Sequence, residues 1–313
     1  MSVLWYSGAA TLDEKKSKSI LHPFSVKGYS GLTINPYQGC SHRCAYCYAT
    51  YAWSPEFYDR IYAKINAHEV LDRQLATWKS DTIDPVMVAS ATDAYQPAEL
   101  RYGLTRKCVQ VLQKYNVPYF VFTKSAIVER DLELPRKYRD NCFIIWSVTT
   151  CNEQKRWVVE PGTPPASRIF ETIKKFADAG VCCGVNVDPI MPLVTDSDEE
   201  LGAVVKACSE AGLRHVFGAM LRLRTDIWER MKMALRLLEI PDGIERYRQI
   251  YRFQEPLDAS YVSADRWYAD QVVNRLESLV KSHGMSCEFP DYMGPRRIDR
   301  SQIGQTSLHN FLI

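Results

Sequence analysis

The chain has 313 residues, 46% hydrophobic and 24% charged, with 39 Lys plus Arg against 37 Asp plus Glu and a net charge of +2. That length suits one large domain or one domain with an appendage, and the even charge balance excludes the strong field of a dedicated polyanion binder. Ten cysteines, with no secretory pattern in Met1–Ala10, point to a reducing cytoplasm, and no run approaches the ~20 apolar residues of a membrane helix, so no membrane partner is expected.

Residues 1–30 read as irregular. Asp13 to Lys18 is a charged, solvated run, and Pro23 and Gly28 oppose a helix. Gly31 to Ile34 reads as a strand. The loop that leaves it, Asn35 to Ala49, organises the chain, because it carries Cys40, Cys44 and Cys47 at C-x₃-C-x₂-C spacing. Thiolates are the preferred ligands of iron–sulfur clusters. Three close together hold three irons of a 4Fe–4S cube and leave the fourth iron open to a small molecule. Zinc held by the same cysteines with His42 is the rival reading, but His42 is wedged inside the spacing, where wrapping one ion is awkward.

Pro55 breaks the chain next, and an alternation of helices and strands follows. Ala67 to Trp78 is helical, with Val70, Leu71, Leu75 and Trp78 on one face. Pro85–Ser90 is a short buried strand. Pro97 to Tyr115 reads as one helix with Leu100, Leu104, Cys108, Val111 and Leu112 as its stripe. Pro118–Thr123 is a strand, Asp131 to Tyr138 a weak helical piece, and Cys142–Val148 a strand. Thr163 can cap a helix that starts at Pro164 and ends at Ala179-Gly180. Val181–Ile190 is a strand. Ser197 and Glu200 form a capping box for a helix ending at Ala211-Gly212. Leu213–Leu221 is the last strand.

Strands separated by helices pair in parallel through right-handed crossovers. Six such strands suit a partial (β/α)6 TIM-type barrel over residues 31–221, and an open doubly wound sheet gives the same pattern. Residues 222–313 differ: two amphipathic helices, Asp226 to Glu239 and Ala264 to His283, then an irregular tail from Met285. They read as a mainly helical C-terminal extension.

Polar residues collect at the carboxyl ends of the strands, where sites of such folds lie. The second strand ends in Ser90, Ala91, Thr92 and Asp93, the third in Thr123 and Lys124. The fourth ends in Ser147, Thr149, Thr150 and Cys151, the fifth in Asn186, Asp188 and Pro189. Thr92, Asp93, Lys124, Ser147 and Asn186 are candidate cofactor ligands among them; the other reading of such hydroxyls is that they cap the next helix. Of the barrel cysteines outside the motif, only Cys151 follows a strand end. It is either a hydrogen donor to a product radical or a small buried hydrophobe.

A C-x₃-C-x₂-C loop after a first strand resembles the radical S-adenosylmethionine (SAM) enzymes. Cys44-x-Tyr46-Cys47-Tyr48 is similar to their spore photoproduct lyase-like branch, as are Ala91–Pro97, Phe122–Ser125 and Asp188–Pro192; the likeness runs from Gly31 to Leu221. The resemblance implies the partial barrel, a 4Fe–4S cluster on the three cysteines, and SAM chelated by the open iron. It further implies an external one-electron reductant of ferredoxin or flavodoxin type, whose electron leads to a 5′-deoxyadenosyl radical. Lys124 and Ser147 match the residues that hold the SAM carboxylate in that branch, and Thr92 matches a contributing hydroxyl. Tyr46 and Tyr48 match tyrosines beside the cluster. The branch's hydrogen-donating cysteine after the second strand is replaced by Ser90 and Ala91, which speaks against thymine-dimer repair. The expected activity is hydrogen abstraction from an unidentified substrate. A nucleic acid is one candidate, through Arg222 and Arg224 at the mouth, Arg296, Arg297 and Arg300 in the tail, and Tyr292 as a stacking ring. Protein or peptide modification is an alternative. An iron–sulfur electron carrier or regulator without SAM chemistry is another, and it would have no use for Thr92, Lys124 and Ser147.

Overall fold

The computed structural model describes residues 10–26, 29–52, 56–257 and 261–301; the Gly28 and Pro55 readings fall outside these. Strands β1 (Thr11–Lys15) and β2 (Leu21–Val26) are the first elements among the described residues, so residues 1–30 are not wholly irregular. No apolar run announces β1. It is a polar edge, held by parallel pairing with Arg60–Lys64. Strand β3 (Tyr29–Ile34) and the short β4 (Tyr37–Gln38) lead to the cysteine loop, which ends in a 3-10 turn at Tyr48–Ala52. Then come β5 (Arg60–Lys64), α1 (Ala67–Ala76), β6 (Thr82–Ile83) and β7 (Val86–Val88).

The helix expected over Pro97 to Tyr115 is two, α2 (Ala98–Tyr102) and α3 (Leu104–Lys114). Gly103 between them adopts φ 58°, a left-handed turn that a β-carbon disfavours, and Leu100 is left 63% exposed instead of joining the stripe. Strand β8 (Tyr119–Thr123), α4 (Glu133–Lys137) and β9 (Cys142–Ser147) follow. A helix the pattern did not reveal, α5 (Glu153–Val159), comes next. Its cap is Asn152, whose side-chain oxygen accepts from the backbone N–H of Gln154 and Lys155 at 3.1 Å.

Helix α6 (Ala166–Asp178) starts after Pro165 rather than at Thr163, whose hydroxyl turns back to the Glu160 carbonyl at 2.8 Å. Strand β10 (Cys183–Ile190), α7 (Asp198–Glu210), β11 (His215–Met220) and β12 (Arg222–Leu223) complete the alternation. Both α6 and α7 end in the same motif. Val181 N–H donates to Phe176 O and Leu213 N–H to Cys208 O, both at 3.1 Å, around Gly180 (φ 75°) and Gly212 (φ 78°). Ser197 caps α7, accepting from Glu200 N–H at 3.2 Å. The Glu200 carboxylate goes to Lys155 and Thr150, so only half the box forms. Helices α8 (Thr225–Leu237), α9 (Gly243–Tyr251, not anticipated) and α10 (Arg266–Ser282) follow, with short strands β13 (Val262–Ser263) and β14 (Arg296–Arg297).

The central mixed sheet has the order β11-β10-β9-β8-β7-β3-β2. From β3 to β11 every pairing is parallel and follows chain order; β2 adds an antiparallel edge. No reversal of strand order occurs, unlike a doubly wound sheet. Alternation sorts the side chains onto two faces. Val86, Val88, Val121, Ile144, Trp146, Val185 and Val187 pack against the stripes of α1, α3, α6 and α7. Met87, Phe120, Phe143 and Ile145 form a second cluster on the opposite face.

The tail passes beneath that second face, at the amino ends of the strands. Phe289 packs its ring on Phe120, Phe143 and Phe217 with centroids 5.1–5.8 Å apart, and the Tyr292 hydroxyl donates to Cys142 O at 2.7 Å. Strand β14 pairs with β6. Among the described residues no helix is long and apolar enough to cross a membrane.

Candidate active site

The site forms where the second face meets the carboxyl ends of the parallel strands. Phe120, Phe122 and Lys124 lie on one side of β8 and its extension; Phe143, Ile145 and Ser147 do so on β9, and Gly184, Asn186 and Asp188 on β10. Lys124, Ser147 and Asn186 therefore share the face that the outer helices leave free. Asn186 donates to Asp188 Oδ2 at 3.4 Å.

The cysteine loop is pinned over these ends from three sides. Gly39 (φ 83°) lets the chain pass where a β-carbon would lie 2.9 Å from Phe57 O. Thr92 hydroxyl donates to Gly39 O at 2.6 Å, and Gln96 Nε2 bonds both Gly39 O and Thr92 Oγ1. From α8, Arg230 donates to the carbonyls of Ala45 (2.8 Å) and Cys47 (2.9 Å). The segment after α5 supplies the third clamp: Ala45 N–H donates to Val159 O (2.9 Å) and Gly162 N–H to His42 O (3.0 Å). The helical extension is thus part of the frame of the loop. Neither Arg230 nor Gly162 stood out in the sequence, and only the fold brings them near.

Cys40 and Cys44 are buried and Cys47 partly so; all three are free thiols. Burial pushes the Cys47 thiol up to about 11, with the neighbouring Cys40 adding to it. Cys44 is pushed up further by burial, while Lys124 pulls it the other way. Three crowded thiols beside a buried cation fit a group that binds them as thiolates. Among the described residues no three His, Cys, Asp or Glu side chains converge on a single ion, a geometry that a cube with one thiolate per iron does not need. His42 stands between Asp93, Nδ1 to Oδ2 3.4 Å, and the thiol of Cys40. Burial opposes a charge on His42, yet Asp93 and then Cys40 overcome it and raise the imidazole to about 10.

Asp93 is a brace rather than a free ligand. It accepts from Thr123 Oγ1 (2.8 Å), Lys124 N–H (2.7 Å) and Tyr95 N–H (2.8 Å). Thr92 likewise spends its hydroxyl on the loop. Tyr48 is 51% exposed, and its hydroxyl donates to Ser90 O. Tyr46 is buried with its hydroxyl on Glu160, and Lys124 Nζ lies 5.3 Å from the centre of its ring. Glu160, which the sequence reading did not single out, is 1% exposed and faces Lys124 Nζ at 3.2 Å.

Three expectations are corrected. Cys151 packs into the core between the sheet and the outer helices, near Cys208 of α7, rather than facing the site; burial raises its thiol to about 11. Arg296 bonds Asn141 and Tyr292 O, and Arg300 bonds Trp78 O and Ser80 O. Both lie at the amino ends of the strands, opposite the site, because the tail turns back beneath the sheet. Tyr292 is committed there too. Arg222 lies in β12, just past the carboxyl end of β11, with its guanidinium 5.0 Å from the ring centre of Tyr261.

A parallel sheet in chain order with a C-x₃-C-x₂-C loop across its carboxyl ends defines a class of cluster-binding enzyme fold. The Radical SAM superfamily matches residues 34–208, and the chain belongs to that superfamily. An uncharacterized protein of Mycobacterium tuberculosis is 31% identical over 242 residues, 73% of this chain and 69% of its own. Another, of Acidianus two-tailed virus, is 28% identical over 226 residues, 65% of this chain and 74% of its own. Among solved structures, spore photoproduct lyase complexed with dinucleoside spore photoproduct superposes with a TM-score of 0.65 at 14% identity, over 87% of this chain and 79% of that one. That is a likeness of fold. A 4Fe–4S cluster and SAM are the cofactors the superfamily implies.

Proposed function

We propose that this chain is a radical SAM enzyme whose residues 31–221 form a partial (β/α)6 barrel, with 222–313 as a helical extension over it. Strand order without reversal supports the barrel reading. The single observation that carries the function is the buried Lys124 ammonium on the free face of the sheet, beside Cys44 of the three-thiol loop. A simple electron carrier has no need of a buried cation beside its cluster thiols.

Cys40, Cys44 and Cys47 would hold the cluster. Lys124 and Ser147 would take the SAM carboxylate, with Asn186 farther along the same face. Thr92 and Asp93 act as braces of the loop and of the end of β8. When bound and reduced by an external donor of ferredoxin or flavodoxin type, the cluster supplies the electron that cleaves the SAM sulfonium to a 5′-deoxyadenosyl radical. The chain holds the reactants, orients the carboxylate and keeps water from the site. Tyr46 anchors the loop through Glu160, and Tyr48 borders the open side.

The substrate reading is a nucleobase-bearing molecule. The fold likeness to a lyase that binds a dinucleoside supports it, as does Arg222 over Tyr261 just past the carboxyl end of β11. Ser90 and Ala91 stand where the lyase-like branch has its donor cysteine, so the reaction differs from its repair. The test is anaerobic reconstitution, dithionite and SAM, with 5′-deoxyadenosine measured for the wild type and for Cys44→Ala. Product from the wild type alone supports the reading; none from reconstituted wild type overturns it.

A further inference from the structure

One carboxylate joins the loop to two strand ends. Glu160 accepts a hydrogen bond from the Tyr46 hydroxyl and one from Thr149 Oγ1 at 3.0 Å. It faces two cations, Lys124 Nζ at 3.2 Å and Arg156 Nη1 at 3.0 Å. The two cations are not equivalent. Arg156 is also held by Thr163 Oγ1 (2.9 Å) and Pro164 O (2.8 Å). Lys124 Nζ has no other ion pair among the described residues, and it stands off the line of a good hydrogen bond to Glu160.

Glu160 is the only carboxylate that pairs with Lys124 among the described residues, whereas Arg156 also stands 3.9 Å from the half-exposed carboxylate of Glu153. Buried charge is tolerated only when balanced. Lys124 shares its one carboxylate with Arg156, so it is the cation with room for a second carboxylate. Glu160 itself sits on a turn bonded to the cysteine loop through Ala45 and His42, so its position moves with the loop.

We propose that Glu160 is a positioning residue that presents the Lys124 ammonium to the SAM carboxylate and ties its place to that of the cysteine loop. This rests on the radical SAM reading above. Were Glu160 merely a neutraliser of buried charge, its loss would weaken the protein whether or not Lys124 were present. A positioning role is spent through Lys124 alone, so the two substitutions must be non-additive.

The experiment is equilibrium dialysis of radiolabelled SAM against the anaerobically reconstituted full chain, after iron per chain has been measured. Four forms are compared: wild type, Lys124→Ala, Glu160→Gln and the double variant. Lys124→Ala should weaken binding on the order of 10- to 100-fold, as for one charge-assisted contact. Glu160→Gln should weaken it ~10-fold with Lys124 present and by under ~2-fold in the Lys124→Ala background. Equal losses in both backgrounds, or no loss with Lys124 present, overturn the proposal. Glu160→Asp keeps the charge and withdraws it by one methylene. It should hold its iron yet bind SAM several-fold more weakly, and wild-type affinity in this variant also overturns the proposal. Reconstituted wild type that carries iron but binds no SAM would remove the functional reading itself, an outcome distinct from additivity.

Discussion

Gly162→Ala is a one-carbon perturbation of the clamp behind the cysteine loop. A β-carbon at Gly162 would meet Ser41 O, stand 2.7 Å from His42 Cα and 2.8 Å from His42 O, all backbone atoms that cannot swing aside. Either the turn after α5 or the loop must move, and the Gly162 N–H to His42 O bond is stretched with it. Overpacking of this kind costs roughly 1–3 kcal/mol and a weakened hydrogen bond about 1 more, so a loss of roughly 2–4 kcal/mol follows. At the usual entropy of unfolding per residue, each kcal/mol lowers Tm by ~1.5 °C for a chain of 313 residues. A fall of about 3–6 °C is therefore expected, together with less iron retained after reconstitution. Gly202 in α7 is the control, because nothing lies within 4 Å of its β position. There Ala should stabilise by about 0.5–1 kcal/mol. Differential scanning fluorimetry with an iron assay reads both. Unchanged Tm and iron in Gly162→Ala would refute the clamp.

Three further outcomes follow from the geometry. Cys151→Ala should leave SAM cleavage and its products unchanged and cost about 1 kcal/mol of stability by urea titration, since the thiol packs away from the site; an altered product would contradict this. Glu160 is pushed up by burial, but Lys124 and Arg156 outweigh that and hold its carboxyl at about 2. Because this lies below the unfolded value, its stabilisation of roughly 3 kcal/mol is whole above about pH 4.5 and is lost as pH falls toward about 2. Urea midpoints between pH 5 and pH 2 or so should therefore fall less steeply in Glu160→Gln than in wild type, and equal slopes would sink the assignment. If single-stranded DNA binds, Arg222→Ala should lower the salt slope by about one unit. The pair Arg296→Ala and Arg297→Ala should leave it unchanged, and the reverse pattern would place the nucleic acid beneath the sheet.

The elements that could be read in advance were those whose signals are local. Apolar runs such as Cys142–Ser147 marked strands buried on both faces, and Ala-Gly after α6 and α7 marked caps that the structure builds alike. The three cysteines were legible because their spacing is itself the chemistry. What escaped depended on contacts distant in sequence. Strand β1 is polar and exists only through β5. The tail looked irregular because its order comes from Phe289 meeting three rings on three strands. Helix α5 did carry a local sign, Asn152 followed by Glu153, which a search for caps would have found. Lys124 was legible as a strand-end cation, but its partner was not. Nothing in a single glutamate after a short helix says that it will be buried between Tyr46, Thr149 and Arg156.

The most direct test of the central claim is electron paramagnetic resonance of the reduced, reconstituted protein with and without SAM. A cube held by Cys40, Cys44 and Cys47 leaves one iron without a protein ligand. The account predicts about four irons per chain and a spectrum that shifts when SAM is added. Stoichiometric zinc with no iron uptake, or a cluster signal that SAM leaves unchanged, would contradict it.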